Sequence, residues 1–178
     1  MRKVTRAALV LAGSAALIGV TTVPSFAVDD TTPVSVAVEG GALAISVPVT
    51  TELTPAAPGA TSTTTLANTT VDDTRAGQIG WEVTVTLPVL TGTILVNSAA
   101  ETIPTTGATY TAATATSSGT VSVAAAAPIL DVSTAKPSQT ATGVHGNNTA
   151  VWTATLAVPI PDDALADTFS GTMTQSVS

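Results

Sequence analysis

Trp81-Glu82-Val83-Thr84-Val85-Thr86-Leu87 is the stretch whose reading decides the fold class. Trp81, Val83, Val85 and Leu87 fall on one side of an extended backbone, and Glu82, Thr84 and Thr86 fall on the other. That two-residue period belongs to a strand with one face buried. Residues 152–160 repeat the pattern, with Trp152, Ala154, Leu156, Val158 and Ile160 on one face and Thr153 and Thr155 opposite. The closing stretch carries it again: Phe169, Gly171, Met173, Gln175 and Val177 point inward, with Thr and Ser between them. Near the front, Val34, Val36 and Val38 alternate with Ser35 and Ala37; Gly40-Gly41 follows, and Leu43, Ile45, Val47 and Val49 resume. This arrangement predicts a hairpin turning at the two glycines.

Weaker runs at 63–71, 93–96, 109–115 and 120–126 read as further strands, rich in Thr and Val whose branched side chains suit a pleated surface. Helical periodicity is nearly absent, and the Ala124–Ala127 run offers at most one helical turn before Pro128. Clusters of Pro, Gly and Asn at 54–59, 104–107, 143–148 and 159–161 separate the runs. Short strands at this spacing predict an all-β fold, an antiparallel two-sheet sandwich of immunoglobulin-like type, with the strand order left open. The segments that begin at Trp81 and Trp152 share Trp, Thr and Pro at the same offsets. They read as two core strands, each with an indole at its start and a Pro at its exit.

The amino-terminal residues set the expected compartment. Arg2, Lys3 and Arg6 precede an uncharged run at 7–20, and Pro24-Ser25-Phe26-Ala27 places small residues where a signal peptidase reads them. The run is too short for a permanent bilayer helix. A secretory signal peptide is therefore expected at 1–27, cleaved before Val28, with a single β-sandwich domain at 28–178. The alternative is an uncleaved amino-terminal anchor. The polar carboxy-terminal residues 172–178 show neither an apolar span nor a basic tail, so any attachment to the cell is expected to be non-covalent. An extracellular location, secreted or associated with the cell wall, follows.

Residues 28–178 carry two basic side chains, Arg75 and Lys136, and all twelve acidic ones, for a formal net charge of −10. Such a surface repels phosphate backbones and anionic lipid, which argues against nucleic-acid partners and stable membrane insertion. With no cysteine, the domain must hold itself by its core alone, for which about 150 residues suffice.

Residues suited to catalysis are scarce. The single histidine, His145, lies in the Gly- and Asn-rich stretch 143–148, where an exposed loop residue is expected rather than a base. Asp29-Asp30, Asp72-Asp73 and Asp162-Asp163, with Asp167 nearby, lack the spacing of a calcium loop and read as turn chemistry. Asn68-Thr69-Thr70 and Asn147-Asn148-Thr149 match the glycosylation acceptor pattern, which carries little meaning in a chain of bacterial type. No catalytic residue, cofactor or metal is expected. Trp81, Tyr110, Trp152 and Phe169 are too few for an aromatic sugar-binding face, and both tryptophans fall in phase with the apolar side, so both are expected in the core.

Val71-Asp72-Asp73-Thr74-Arg75, followed by Gly80-Trp81-Glu82-Val83-Thr84-Val85, resembles the first signature of the WxL-domain cell-surface proteins of Gram-positive bacteria, most of all their actinobacterial relatives. Residues 147–156 and 169–177 look like the closing segment of that family, so the resemblance runs from about Pro33 to the end. Val83 stands where the name-giving motif has Leu, and the closing motif has Met173 to Val177 in place of its tryptophan. The resemblance implies a β-sandwich that associates non-covalently with the wall through peptidoglycan or other surface proteins. It singles out Asp73, Arg75, Trp81, Val83, Trp152 and Leu156 as motif or wall-binding positions. The alternative expectation is a structural subunit whose sheet edges self-associate into a fibre or layer. Arg75, one of two cations in 28–178, is expected to pair with Asp73 and to pin the turn into Trp81.

Overall fold

The computed structural model describes residues 30–178, so the signal segment and its cleavage site lie outside the described residues. Residues 30–36 are exposed and lie in no strand among the described residues, and Ala37–Ser178 forms one compact unit. It contains β1 (Leu43–Ser46), β2 (Thr61–Asp73), β3 (Trp81–Thr86), β4 (Val89–Val96), β5 (Ala99–Pro104), β6 (Thr109–Ala112), β7 (Thr116–Ala125), β8 (Ile129–Leu130), β9 (Lys136–Pro159) and β10 (Thr174–Val177). No helix occurs among the described residues. Every pairing is antiparallel: β4 and β5 form a separate hairpin, and the other eight strands share one sheet.

The spine of that sheet is β9, 24 residues long. One of its edges pairs with β3, from Trp81 opposite Ala141 to Val85 opposite Lys136, and then with β2, from Asp73 opposite Asn148 to Thr61 opposite Pro159. The other edge carries β7 and then β6. Two strands thus leave the same edge of β9, and the gap between them faces residues 142–147. Gly143 and Gly146 lie in that gap with φ of 61° and 75°, a left-handed geometry that glycine adopts without steric cost. Buried positions shift phase there, from Ala141 to Val144, while β7 opposite loses register at Gly119 and Thr120. Such bulges bend a strand and increase its twist. With β1 beyond β2 and β10 beyond β3, the sheet curls until β1 and β10 approach each other without forming a ladder, nearly closing a barrel.

The alternation read from sequence holds where it was strongest. Trp81, Val83, Val85 and Leu87 are buried, as are Trp152, Ala154, Leu156 and Val158. They form one core with Leu66, Val71, Leu90, Ile103, Tyr110 and Val132. Burying a side chain of this size contributes roughly 1.5–3 kcal/mol, so the two alternating strands supply much of the cohesion of a domain without disulfides.

Four expectations need correction. The hairpin at the front does not form: β1 pairs with β2, Leu43 opposite Asp73 through Ser46 opposite Thr70, while Val34, Val36 and Val38 stay 92%, 87% and 80% exposed. Gly40-Gly41 does not turn the chain but extends the β1 ladder, with Gly41 N donating to Thr74 O at 2.7 Å and Thr74 N to Ala42 O at 2.9 Å. A Cβ at either glycine would strike Arg75 O or Thr74 Oγ1, so glycine serves close approach here. Residues 143–148 are not a connecting loop but the bend inside β9, which leaves His145 as an exposed strand residue opposite Thr120. The closing strand is only Thr174–Val177, and Phe169 and Met173 pack on the core from an irregular lead-in. Ala124 and Ala125 end β7 in extended form rather than starting a helical turn.

Candidate functional site

The gap between β2 and β3 is filled by their connection, residues 74–80, and closed by a hydrogen-bonded knot. Asp73 ends β2 with its side chain 2% exposed. Its Oδ1 accepts from Arg75 Nε at 2.9 Å and from the Arg75 backbone N–H at 3.1 Å. Its Oδ2 accepts from Arg75 Nη2 at 3.0 Å and from Asn148 Nδ2 at 3.2 Å. Arg75 Nη2 also donates to the carbonyls of Ile79 at 3.1 Å and Gly80 at 3.3 Å, which draws the loop back over the pair. Asn148, buried in β9, accepts from Trp81 Nε1 at 3.1 Å. Ala76 N donates to Asn147 Oδ1 at 3.1 Å, and Gly146 N donates to Gly77 O at 2.9 Å, fastening the loop to the bend of β9.

A carboxylate that accepts four hydrogen bonds, two of them from one guanidinium, favours its ionised form. The Arg75 side chain holds the Asp73 pKa below its ordinary value of 3.8, burial opposes that shift, and the Arg75 backbone and Asn148 support it. Arg75 is shifted upward by the same pairing. The polar groups of the knot are committed to one another, so its chemistry is structural: it joins two strands and a loop to the bend of the spine.

Asp73, Arg75 and Trp81 therefore meet as the sequence suggested. Val83 and Trp152 do not join them and serve as core side chains. Leu156 is also buried, and it lines a cavity of about 680 Å³ that opens between the segment following β1 and the segment leading into β10. Leu66, Leu87, Leu90, Phe169 and Met173 complete its apolar lining, with residues 47–53 along one side and 168–173 along the other. Sequence reasoning missed this groove because its lining comes from five separated segments, none of them unusual locally. It also missed Asn148, although Asn147-Asn148 beside a strand was a usable signal: adjacent amides at a bend are well placed to satisfy a neighbouring loop.

Behind the groove lies a polar pocket of the core. Tyr110 is fully buried and its hydroxyl donates to Gln175 Oε1 at 3.3 Å. Burial raises the Tyr110 pKa above 10.0, and the nearby Trp152 indole opposes that rise. That indole N–H nevertheless lacks a well-formed hydrogen bond, as does the Thr69 hydroxyl on the residue opposite in β2. At the hairpin, Asp167 accepts from Thr93 N at 2.6 Å and Ile94 N at 2.7 Å, and the Ile94 bond leads the causes that lower its pKa. No group of three His, Asp or Glu side chains is placed to hold a metal among the described residues. Compared with family models, curated proteins and solved structures, the chain matches none.

Proposed function

We propose that this chain is a secreted, non-enzymatic surface protein whose immunoglobulin-like β-sandwich associates non-covalently with the bacterial cell wall, through peptidoglycan. The observation that carries this reading is the meeting of the two stretches on which the WxL-domain resemblance rests. Asp73, Arg75 and Trp81 come from the first and Asn148 from the second, and all four interlock at the point where β2 and β3 part from β9. A motif that secures the fold can keep that role where Val83 stands in place of the name-giving Leu. On this reading the motif holds the domain and wall contact falls to its surface, and the acidic exterior keeps the domain soluble outside the cell.

Fractionation of the native cells tests the reading. The protein should sediment with the wall, leave it in concentrated salt or denaturant, and bind again to purified peptidoglycan. Full recovery in the culture fluid with no affinity for purified wall, or retention in the membrane through a denaturant wash, would count against it.

A further inference from the structure

We propose that the seam between β1 and β10 is an acceptor groove for an extended strand, and that its occupant is the valine-alternating segment Val34-Ser35-Val36-Ala37-Val38 of a second copy of this chain. This goes beyond wall association and does not depend on it.

The acceptor is visible in the ladders. Along the sheet β1 pairs with β2 and β10 pairs with β3, and β1 and β10 share no register where they approach. Beyond Ser46 the chain leaves the β2 ladder, and before Thr174 it has not yet joined β3. Between these divergent arms the core opens at Leu66, Leu87, Leu90, Leu156, Phe169 and Met173. Ser170 is tied back to Thr91 through both of its backbone groups, but residues 47–53 and 171–173 make no backbone–backbone hydrogen bond among the described residues. Free backbone beside an apolar trough is what an added strand requires: groups for hydrogen bonds, and a surface for alternate side chains.

The donor is equally visible. Val34, Val36 and Val38 are among the most exposed hydrophobic side chains described, and they alternate with Ser35 and Ala37 along a segment that joins no strand among the described residues. Five extended residues span roughly 17 Å, an ordinary strand length. The stretch 31–38 carries no charge, with Asp30 before it and Glu39 after it, and the only charged residue lining the groove is Glu52. An acidic chain therefore presents its uncharged strand to an almost uncharged trough.

Geometry favours a second copy over the chain's own segment. To fold back beside β1, the segment would need to reverse direction within residues 39–42. Gly41 and Ala42 are already hydrogen-bonded to Thr74, and Gly40 is packed against Arg75, all as a continuation of the β1 ladder. Only Glu39 remains to reverse the chain.

The absence of cysteine makes the test free of background. Val36→Cys and Thr172→Cys variants, purified from the host whether or not residues 1–27 remain, are mixed under mild oxidation. Val36 is exposed, and Thr172 is an exposed residue of the groove wall, so neither change threatens the core. The mixed disulfide should form several-fold more than between Val36→Cys and Leu130→Cys, a control residue that is 72% exposed and lies outside the groove. An excess of a peptide of residues 31–39 should suppress it, and added salt should raise it by screening the acidic bodies. Equal yields with the control, or indifference to the peptide, overturn the proposal. So does a Val36→Cys/Thr172→Cys double variant that closes an intramolecular disulfide at a yield unchanged by dilution, because the groove would then hold the chain's own strand.

Discussion

Asp73→Asn removes one charge from the centre of the knot while keeping its shape. In the native protein the carboxylate accepts two bonds from the Arg75 guanidinium, one from the Arg75 backbone and one from Asn148. An amide in its place turns one acceptor into a donor facing donors. A fully exposed pair would be worth only about 0–1 kcal/mol, and removing one partner of a fully buried pair costs about 3–5 kcal/mol. With Asp73 at 2% and Arg75 at 29% exposure, the guanidinium can turn toward water, whereas the Asn148 amide cannot. The expected loss is about 2–4 kcal/mol, part of it the cost of a stranded buried donor. In urea, with a slope of about 1–3 kcal/mol per molar, a loss of 3 kcal/mol moves the midpoint by roughly 1–3 M. The buried tryptophans report the transition by fluorescence. The gap between native protein and variant should also depend on pH. Because the folded pKa of Asp73 lies below 3.8, its contribution is fully present above the unfolded carboxyl value of about 3.9 and is lost as pH falls through the folded value. Within that window the gap should shrink by at most about 1.4 kcal/mol per pH unit. A gap that stays constant from neutral pH down through the window would refute the assignment of Asp73 as an ionised keystone.

Three other outcomes are expected. Trp81→Ala should cost roughly 3–5 kcal/mol through its cavity, and Trp81→Phe roughly 1–3 kcal/mol through the unpaired Asn148 Oδ1, both read by denaturant midpoint; a Phe variant as stable as the native protein would show the indole bond to be idle. Tyr110, the only tyrosine, should titrate above the ordinary phenol value in an ultraviolet absorbance titration, and stability should be intact below about pH 10 and fall as pH rises through the folded pKa; titration at the free-phenol value in folded protein would contradict its burial. Asp167→Ala should speed hydrogen exchange at the Thr93 and Ile94 amides while the core amides keep their protection, and unchanged exchange there would show that Asp167 does not hold the hairpin.

The sequence by itself determined the strand class and the buried face of the strongest strands. Alternation is a local property, and in 81–87 and 152–158 every second side chain is apolar, so burial follows from any pleated backbone. It also determined that Asp73 and Arg75 would pair, because an acidic chain with two cations in 28–178 gives Arg75 an acid two residues away. Only the tertiary structure decided where each edge goes. Gly40-Gly41 and residues 143–148 carry the composition of turns, yet neither reverses the chain: the first continues a ladder and the second bends a strand, because glycine permits close backbone approach and left-handed geometry as readily as it permits reversal. The bend of β9 is what brings Asn148 onto Asp73 and Trp81, across 75 and 67 residues of chain. The groove at the seam arises in the same way: it is the space left where two non-consecutive strands approach without pairing. No local pattern encodes such a space, since it depends on how far a twisted sheet curls before its edges meet.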